Sequence, residues 1–199
     1  SSQRGYIVLR PDIVFQARNP GGSIVDCVTS AVKRVAATGM IDPPKVGVMG
    51  HSWGGYGSAY LPPHTQGPFA SAIAGAPLTN LVSFYGYTSG NSGQPETGHF
   101  EVGQERMEVP LWEDPQAYIR NSPIFGMKDA SVPLLVEFGD RDGNVDFGQG
   151  IEFYNAARRL GKEKFVMIVY NDENHGLAQK KNQVDYHRRQ IEWFDHYLR

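Results

Sequence analysis

The chain of 199 residues has a single cysteine, Cys27, so no internal disulfide can form and the redox compartment stays open. No apolar run approaches the roughly 18–20 residues that a membrane-spanning helix requires. Excess charge is missing too: 19 Lys and Arg against 21 Asp and Glu leave a net −2. Near-neutrality gives no electrostatic reason to expect nucleic acid or an anionic membrane as partner. The densest basic run, Lys180-Lys181 with Arg188-Arg189, reads as a solvated helix face. No His/Cys/Asp cluster has metal-ligand spacing, so neither a metal nor a cofactor is expected. There are no internal repeats and no low-complexity tract. What is present is 40% hydrophobic, enough for one good-sized core, so a single domain over 1–199 is expected.

The chain is organised around residues 45–61, KVGVMGHSWGGYGSAYL. Lys45–Met49 reads as a short buried strand. Gly50-His51-Ser52-Trp53-Gly54 fits the G-x-S-x-G nucleophile elbow, and Gly55–Leu61 mixes small and aromatic residues as a helix lying close to a sheet does. The elbow serine sits at a strained backbone position, and glycines two before and two after it keep Cβ atoms out of the turn. The bare motif is common by chance; a matching base and acid decide its meaning.

In chain order, Tyr6–Leu9 starts a strand that Arg10-Pro11-Asp12 interrupts and Ile13-Val14-Phe15 resumes. Arg18–Gly22 is a turn, and Ser23 with Asp26 resembles a capping box for a helix over 24–38. Val25, Val28, Val32, Val35 and Ala36 recur at helical spacing there, and Gly39 is its stop. Pro62-Pro63 ends the elbow helix, and Phe69–Ala76 is the next buried strand. Residues 77–131 have weak periodicity and many Gly, Pro and aromatic residues, which marks an insertion or lid. Val132–Gly139 and Lys164–Tyr170 are further strands. A helix over 147–160 puts Ile151, Tyr154 and Leu160 on one face and stops at Gly161. The last helix, 182–198, turns Val184, His187, Ile191, Phe194 and Leu198 inward. Strands alternating with helices predict an α/β class with a mostly parallel sheet and helices on both faces. The ligand crevice of such sheets lies beyond the strands' carboxyl ends. Ser52, Asp142 and His175 each follow the end of a different expected strand.

A serine needs a base, and the base needs a carboxylate to fix its tautomer. Six histidines compete. His51 is held in the elbow and points elsewhere, in a packing role; His64 and His99 fall in solvated loops; His187 and His196 fit packing roles in the last helix. His175, after a strand and inside a polar loop, is the best base. Asp140, Asp142 and Asp146 are rivals for the acid, with Asp172 and Glu173 too close to His175 in sequence. Asp142, farthest into its post-strand turn, is preferred on spacing, but Asp140 and Asp146 stay open. The order Ser…Asp…His is that of α/β-hydrolases, which sets the expected fold.

Gly50–Tyr56 (GHSWGGY), Asn121-Ser122-Pro123, Gly139–Val145 (GDRDGNV), Gln149 and Asn174-His175-Gly176 together resemble the catalytic domain of the prolyl oligopeptidase family over almost the whole chain. The resemblance implies a serine peptidase of dipeptidyl or acylaminoacyl type acting on short peptides. The same machinery would serve a carboxylesterase, and a non-catalytic hydrolase-like binding domain is the alternative of another class. By resemblance, the D-x-x-V motif at 142–145 makes Asp142 the acid and leaves Asp140 a turn residue. Trp53 would supply an oxyanion N–H, and Asn144 would bind a substrate carbonyl. Phe84, Tyr85, Tyr87 and Val145 would line the S1 pocket, although aromatics there serve equally as lid core. Two departures stand out. Trp53 replaces the family's usual Tyr. The first strands of the sheet are not found, one of which would lie between Tyr6–Phe15 and the elbow strand. An upstream part of the same polypeptide is therefore expected, with a β-propeller, those strands and a tyrosine completing the oxyanion hole. This piece alone is then expected to be feeble.

Overall fold

The computed structural model describes residues 5–65 and 67–199; the polar opening Ser1–Arg4 lies outside them. Four parallel strands, β1 (Val46–His51), β2 (Phe69–Gly75), β3 (Leu134–Gly139) and β4 (Phe165–Tyr170), lie side by side in chain order. Each agrees with an expected apolar run to within two residues. Their registers pair Val48 with Ala72, Ala74 with Val136 and Val136 with Met167.

Helices α1 (Pro20–Ala36), α2 (Trp53–His64), α7 (Phe147–Arg159) and α8 (Lys180–Leu198) cover the sheet. Side-chain alternation along β1 separates two layers. Val46 and Val48 pack into the main core with Tyr56, Tyr60 and Leu61 of α2. On the other face a Cβ at Gly47 would meet Phe194 and Leu198 of α8. The insertion 77–131 is not idle chain: it folds into α3 (Leu81–Tyr85), α4 (Thr97–Val102), α5 (Pro115–Arg120) and α6 (Pro123–Gly126). An aromatic cluster of Phe84, Tyr85, Phe100 and Tyr118, with ring centroids 5.4–6.2 Å apart, forms its core.

Several expectations need correcting. Tyr6–Phe15 forms no strand. No described strand lies beside it to complete a ladder, and Ile7, Val8, Leu9 and Val14 stand exposed while the Tyr6 hydroxyl donates to Asp195 at 2.6 Å. The outer edge of β1 is likewise unpaired among the described residues. Helix α1 begins at Pro20 instead of Ile24, with proline at the position that needs no donor. Ser23 therefore sits inside the first turn, its hydroxyl on the Asn19 carbonyl at 2.7 Å. The cap comes from far along the chain: Gly21 N–H donates to Asn121 Oδ1 at 3.0 Å. Helix α2 runs through Pro62-Pro63 to His64, whose ring stacks on Tyr60 at 3.7 Å and closes the last turn on the Tyr60 carbonyl at 2.8 Å. In α7 the inward residues are Phe153 and Ala157, with Ile151 and Leu160 exposed. In α8, Phe194 and Leu198 pack inward as expected, but Val184 and His187 face solvent. The expectation holds for Tyr154, which packs against the core, and for Ile191, Phe194 and Leu198; it fails at Ile151 and Leu160 of α7 and over the first turns of α8.

Asn121 is fully buried, and its amide also donates to the Arg18 and Ala117 carbonyls at 2.9 and 2.8 Å. Asn121→Ala would strip the Gly21 N–H and the Arg18 carbonyl of these bonds, while the Ala117 carbonyl keeps the residue-121 N–H at 3.1 Å, so we expect a loss of about 2–4 kcal/mol in urea unfolding. A loss below about 0.5 kcal/mol would show that the cap is dispensable.

Candidate active site

Ser52 joins β1 to α2 with φ +59° and ψ −121°, a conformation that costs on the order of 1–3 kcal/mol and persists only where its surroundings hold it. Its N–H donates to the Gly75 carbonyl at 2.8 Å, and its carbonyl accepts from Tyr56 N–H at 2.8 Å. A Cβ at Gly50 would strike the Gly54 carbonyl, and one at Gly55 the Gly75 carbonyl. Gly54 itself faces open space. The steric requirement after the serine therefore falls on Gly55, not on the motif's second glycine.

Three loops at the carboxyl ends of β1, β3 and β4 converge. His175 Nε2 lies 2.8 Å from Ser52 Oγ, and His175 Nδ1 lies 2.9 and 3.1 Å from the two oxygens of Asp142. The Asp142 side chain is wholly buried. Its Oδ1 accepts from the N–H groups of Asn144 and Val145, each at 2.9 Å, which fixes the carboxylate plane. The rivals are used differently. Asp140 Oδ1 accepts from Asp172 N–H at 2.7 Å, and Asp146 caps α7 through Gly148 N–H.

The base loop is held from behind by a residue the sequence reading set aside. Glu173 is buried, and its carboxylate accepts from Ala178 N–H, Gln179 N–H and the Asn182 side-chain amide, tying the His175 loop to the turn that leads into α8. Burial alone would raise its pKa, but these donors hold it below the ordinary value. Glu137, on β3 beneath the site, is buried with its pKa raised to about 7, by burial first and then by the charge of Asp142. His51 does not turn away: its ring lies 4.8 Å from the His175 ring, and its pKa is lowered by burial and by that neighbour. His64 ends α2, exposed His99 lies in α4 near Glu105, and exposed His196 sets its edge on Tyr197.

Trp53 opens α2, so its N–H is one of the donors that a helix start leaves without an intrahelical partner. Its ring stacks on Tyr56 at 4.2 Å. Phe84 and Tyr85 are buried in the insertion's aromatic core; half-buried Tyr87 stacks on Phe84 at 5.3 Å, and Val145 is buried. Phe84 and Tyr87 border a cavity of about 330 Å³ with Asp146, Gln149 and Glu152, and no member of the Ser52, His175 and Asp142 group lines it. Gln149 and Ser122 act as scaffold. Gln149 accepts from Thr79 and Asn80 N–H, and Ser122 Oγ accepts from Leu81 N–H. Asn144 is exposed. The described residues contain no His/Cys/Asp/Glu group able to hold a metal.

The family model for the prolyl oligopeptidase family matches residues 15–199. The chain belongs to that family, whose peptidases are serine hydrolases. This prolyl oligopeptidase family chain is 30% identical to acylamino-acid-releasing enzyme 1 of Oryza sativa subsp. japonica, over 84% of its own length and 22% of that protein. It is 27% identical to dipeptidyl-peptidase 5 of Porphyromonas gingivalis, over 100% of its length and 30% of the relative. The chain thus spans less than a third of these relatives. Among solved structures it is similar to a Mycobacterium tuberculosis puromycin-hydrolyzing peptidase, with TM-score 0.79, 21% identity, and coverage of 91% of this chain and 26% of that one. It is also similar to Porphyromonas gingivalis dipeptidyl peptidase 4, with TM-score 0.77, 22% identity, and coverage of 92% and 24%. The shared fold is the α/β-hydrolase fold, of which this chain carries four parallel strands.

Proposed function

We propose that the chain carries the nucleophile, base and acid of a serine peptidase acting on short peptides through an acyl-enzyme on Ser52. The observation that carries this reading is the 2.8 Å contact from Ser52 Oγ to one nitrogen of His175 while buried Asp142 holds the other. His175 Nε2 takes the hydroxyl proton as Oγ attacks the scissile carbonyl, and the imidazolium gains a carboxylate partner that needs no solvent to support it. Trp53 N–H, backed by the start of α2, meets the developing oxyanion. The imidazolium then protonates the leaving amine, and water attacks the acyl-enzyme by the same route reversed. Asn144 takes a substrate carbonyl, and Val145 and Tyr87 border the side chain beside the scissile bond. Phe84 and Tyr85 act behind them, as insertion core. Another part of a longer polypeptide covers the open edge of β1 and the exposed Ile7–Leu9 run, and supplies a second oxyanion donor. The small share of each relative that the chain spans supports this reading.

The test uses the full-length polypeptide that carries this chain. A fluorophosphonate should label it at Ser52, and dipeptidyl and acylaminoacyl amides should turn over alongside matched esters. Ester turnover without amide turnover would make it an esterase. A folded protein that resists the fluorophosphonate would be a binding domain of hydrolase shape.

A further inference from the structure

A turn of the insertion reaches back over the site. Residues 88–95 form a small hairpin closed by a Thr88–Pro95 bridge, with Ser89 N–H on the Gln94 carbonyl at 2.9 Å. Its tip lies against the loop that carries Asp142: Asn91 N–H and Ser89 Oγ both donate to the Gly143 carbonyl, at 3.1 and 2.9 Å. The approach is so close that a Cβ on Gly143 would overlap the Asn91 amide.

Three asparagine amides meet there, and their orientations follow from one another. Asn174 Oδ1 accepts from two backbone donors, Gly143 N–H at 3.0 Å and His175 N–H at 2.7 Å. That end must be the oxygen, so Asn174 Nδ2 is the group facing Asn91, 2.8 Å from Asn91 Oδ1. Asn91 Oδ1 is thereby fixed as an acceptor, which makes Asn91 Nδ2, beside it, the donor. It donates to Asn144 Oδ1 at 2.7 Å and reaches Asn174 Oδ1 at 3.1 Å. Among the described residues, Asn144 is left with its carbonyl engaged and its NH₂ without a partner. Two rigid backbone donors thus set the direction of a side chain that is two amides removed from them.

We infer that Asn91 is a positioning residue for substrate recognition: it locks the Asn144 amide with its NH₂ presented to the substrate's carbonyl oxygen. The inference rests on the proposed role of Asn144 and deepens it. Without the lock, Asn144 can present either end, and its oxygen repels a carbonyl where its NH₂ attracts one. Asn91→Asp reverses the lock. A carboxylate at 91 keeps one oxygen on Asn174 Nδ2, while the other gives up the bond to Asn174 Oδ1, which the Gly143 and His175 N–H groups still hold, and can only accept from Asn144, which turns the Asn144 oxygen toward the substrate. Asn91→Ala merely frees it.

Two substrates separate this from a structural role: an amide whose extra peptide unit supplies the carbonyl for Asn144, and a short acyl ester that lacks it. In the full-length polypeptide, Asn91→Asp should lower the kcat/KM ratio of the first to the second about tenfold, chiefly through KM, and Asn91→Ala about two- to threefold. Fluorophosphonate labelling, which needs only the Ser52 machinery, should stay within about twofold in both. In an Asn144→Ala background, Asn91→Asp should change the ratio no further. An unchanged ratio in Asn91→Asp would overturn the inference. So would an equal fall for both substrates and for labelling, which would make the hairpin a brace for the Asp142 and His175 loops. A wild type that resists the fluorophosphonate altogether would instead sink the proposed function on which the inference stands.

Discussion

Replacing Ser52 by alanine is expected to lower kcat on any amide or ester substrate by about 10⁴-fold or more, and His175→Ala by a similar factor. The double replacement should cost little beyond either single one, because the hydroxyl and the imidazole act as one unit across their 2.8 Å contact. Asp142→Asn makes a sharper test. Asp142 Oδ1 takes two backbone N–H groups, so an asparagine there must keep its oxygen on that side. Its NH₂ then occupies the Oδ2 position, 2.9 Å from His175 Nδ1. Nδ1 becomes an acceptor, the ring proton moves to Nε2, and Ser52 faces a donor that cannot take its proton. A fall of about 10³–10⁴-fold with unchanged stability is expected, measured as single-turnover acylation alongside thermal unfolding. An Asp142→Asn protein within tenfold of wild type would show that another carboxyl orients the imidazole.

The four strands were legible because each is a short, mostly apolar run bounded by turn residues; β2 and β3 are buried on both faces as that pattern implies, whereas β1 and β4, at the sheet's edges, are half-exposed, with Met49 and Val166 in solvent. The three reacting side chains were legible because parallel strands deliver their following loops to the same edge. What escaped depends on partners remote in sequence. The start of α1 is set by Asn121, a hundred residues away, and no local capping pattern can report that. Tyr6–Phe15 has strand composition but no described neighbour, and a strand is a property of pairs. The inward face was misplaced only at Ile151 and Leu160 of α7 and at Val184 and His187 in the first turns of α8, where apolar residues also lie on the exposed side. Asn91 sits in a Ser-Gly-Asn-Ser-Gly stretch whose only local signal is a turn; its contacts with Asn144 and Asn174 span 53 and 83 residues. Glu137 lies inside an apolar run, VPLLVEFG, and nothing in that run tells a tolerated edge glutamate from a buried one.

That buried glutamate leads to the second large effect, on stability instead of rate. Glu137 keeps its proton up to a pH of about 7 in the folded protein, against an ordinary value of 4.5. The unfolded chain releases the proton earlier, so the folded state is favoured below about pH 4.5 and loses ground steadily up to about pH 7. The loss is complete above that and amounts to about 3 kcal/mol. Glu105, buried with an oxygen that has no hydrogen-bond partner among the described residues, is raised by burial to about 7 and adds a loss of the same sign over the same range. Glu173 and Asp185 are lowered, so their contributions fade only as pH falls below the ordinary carboxylate range, outside this window. Glu137→Gln should therefore gain about 3 kcal/mol relative to wild type between pH 4.5 and pH 8 in urea unfolding. The variant should retain the part of the slope due to Glu105, and Glu105→Gln/Glu137→Gln should lose the steep fall, leaving the smaller terms of Glu96, raised by burial, and of His51 and His64, whose lowered pKa values favour the folded state as pH rises towards the ordinary imidazole range. A difference between wild type and Glu137→Gln that is constant from pH 4.5 to 8 would mean the carboxyl is already ionised when folded. The site would then hold a further negative charge at Glu137, beside those of Asp142 and Glu173, which raise its pKa, and with His175 pulling the other way.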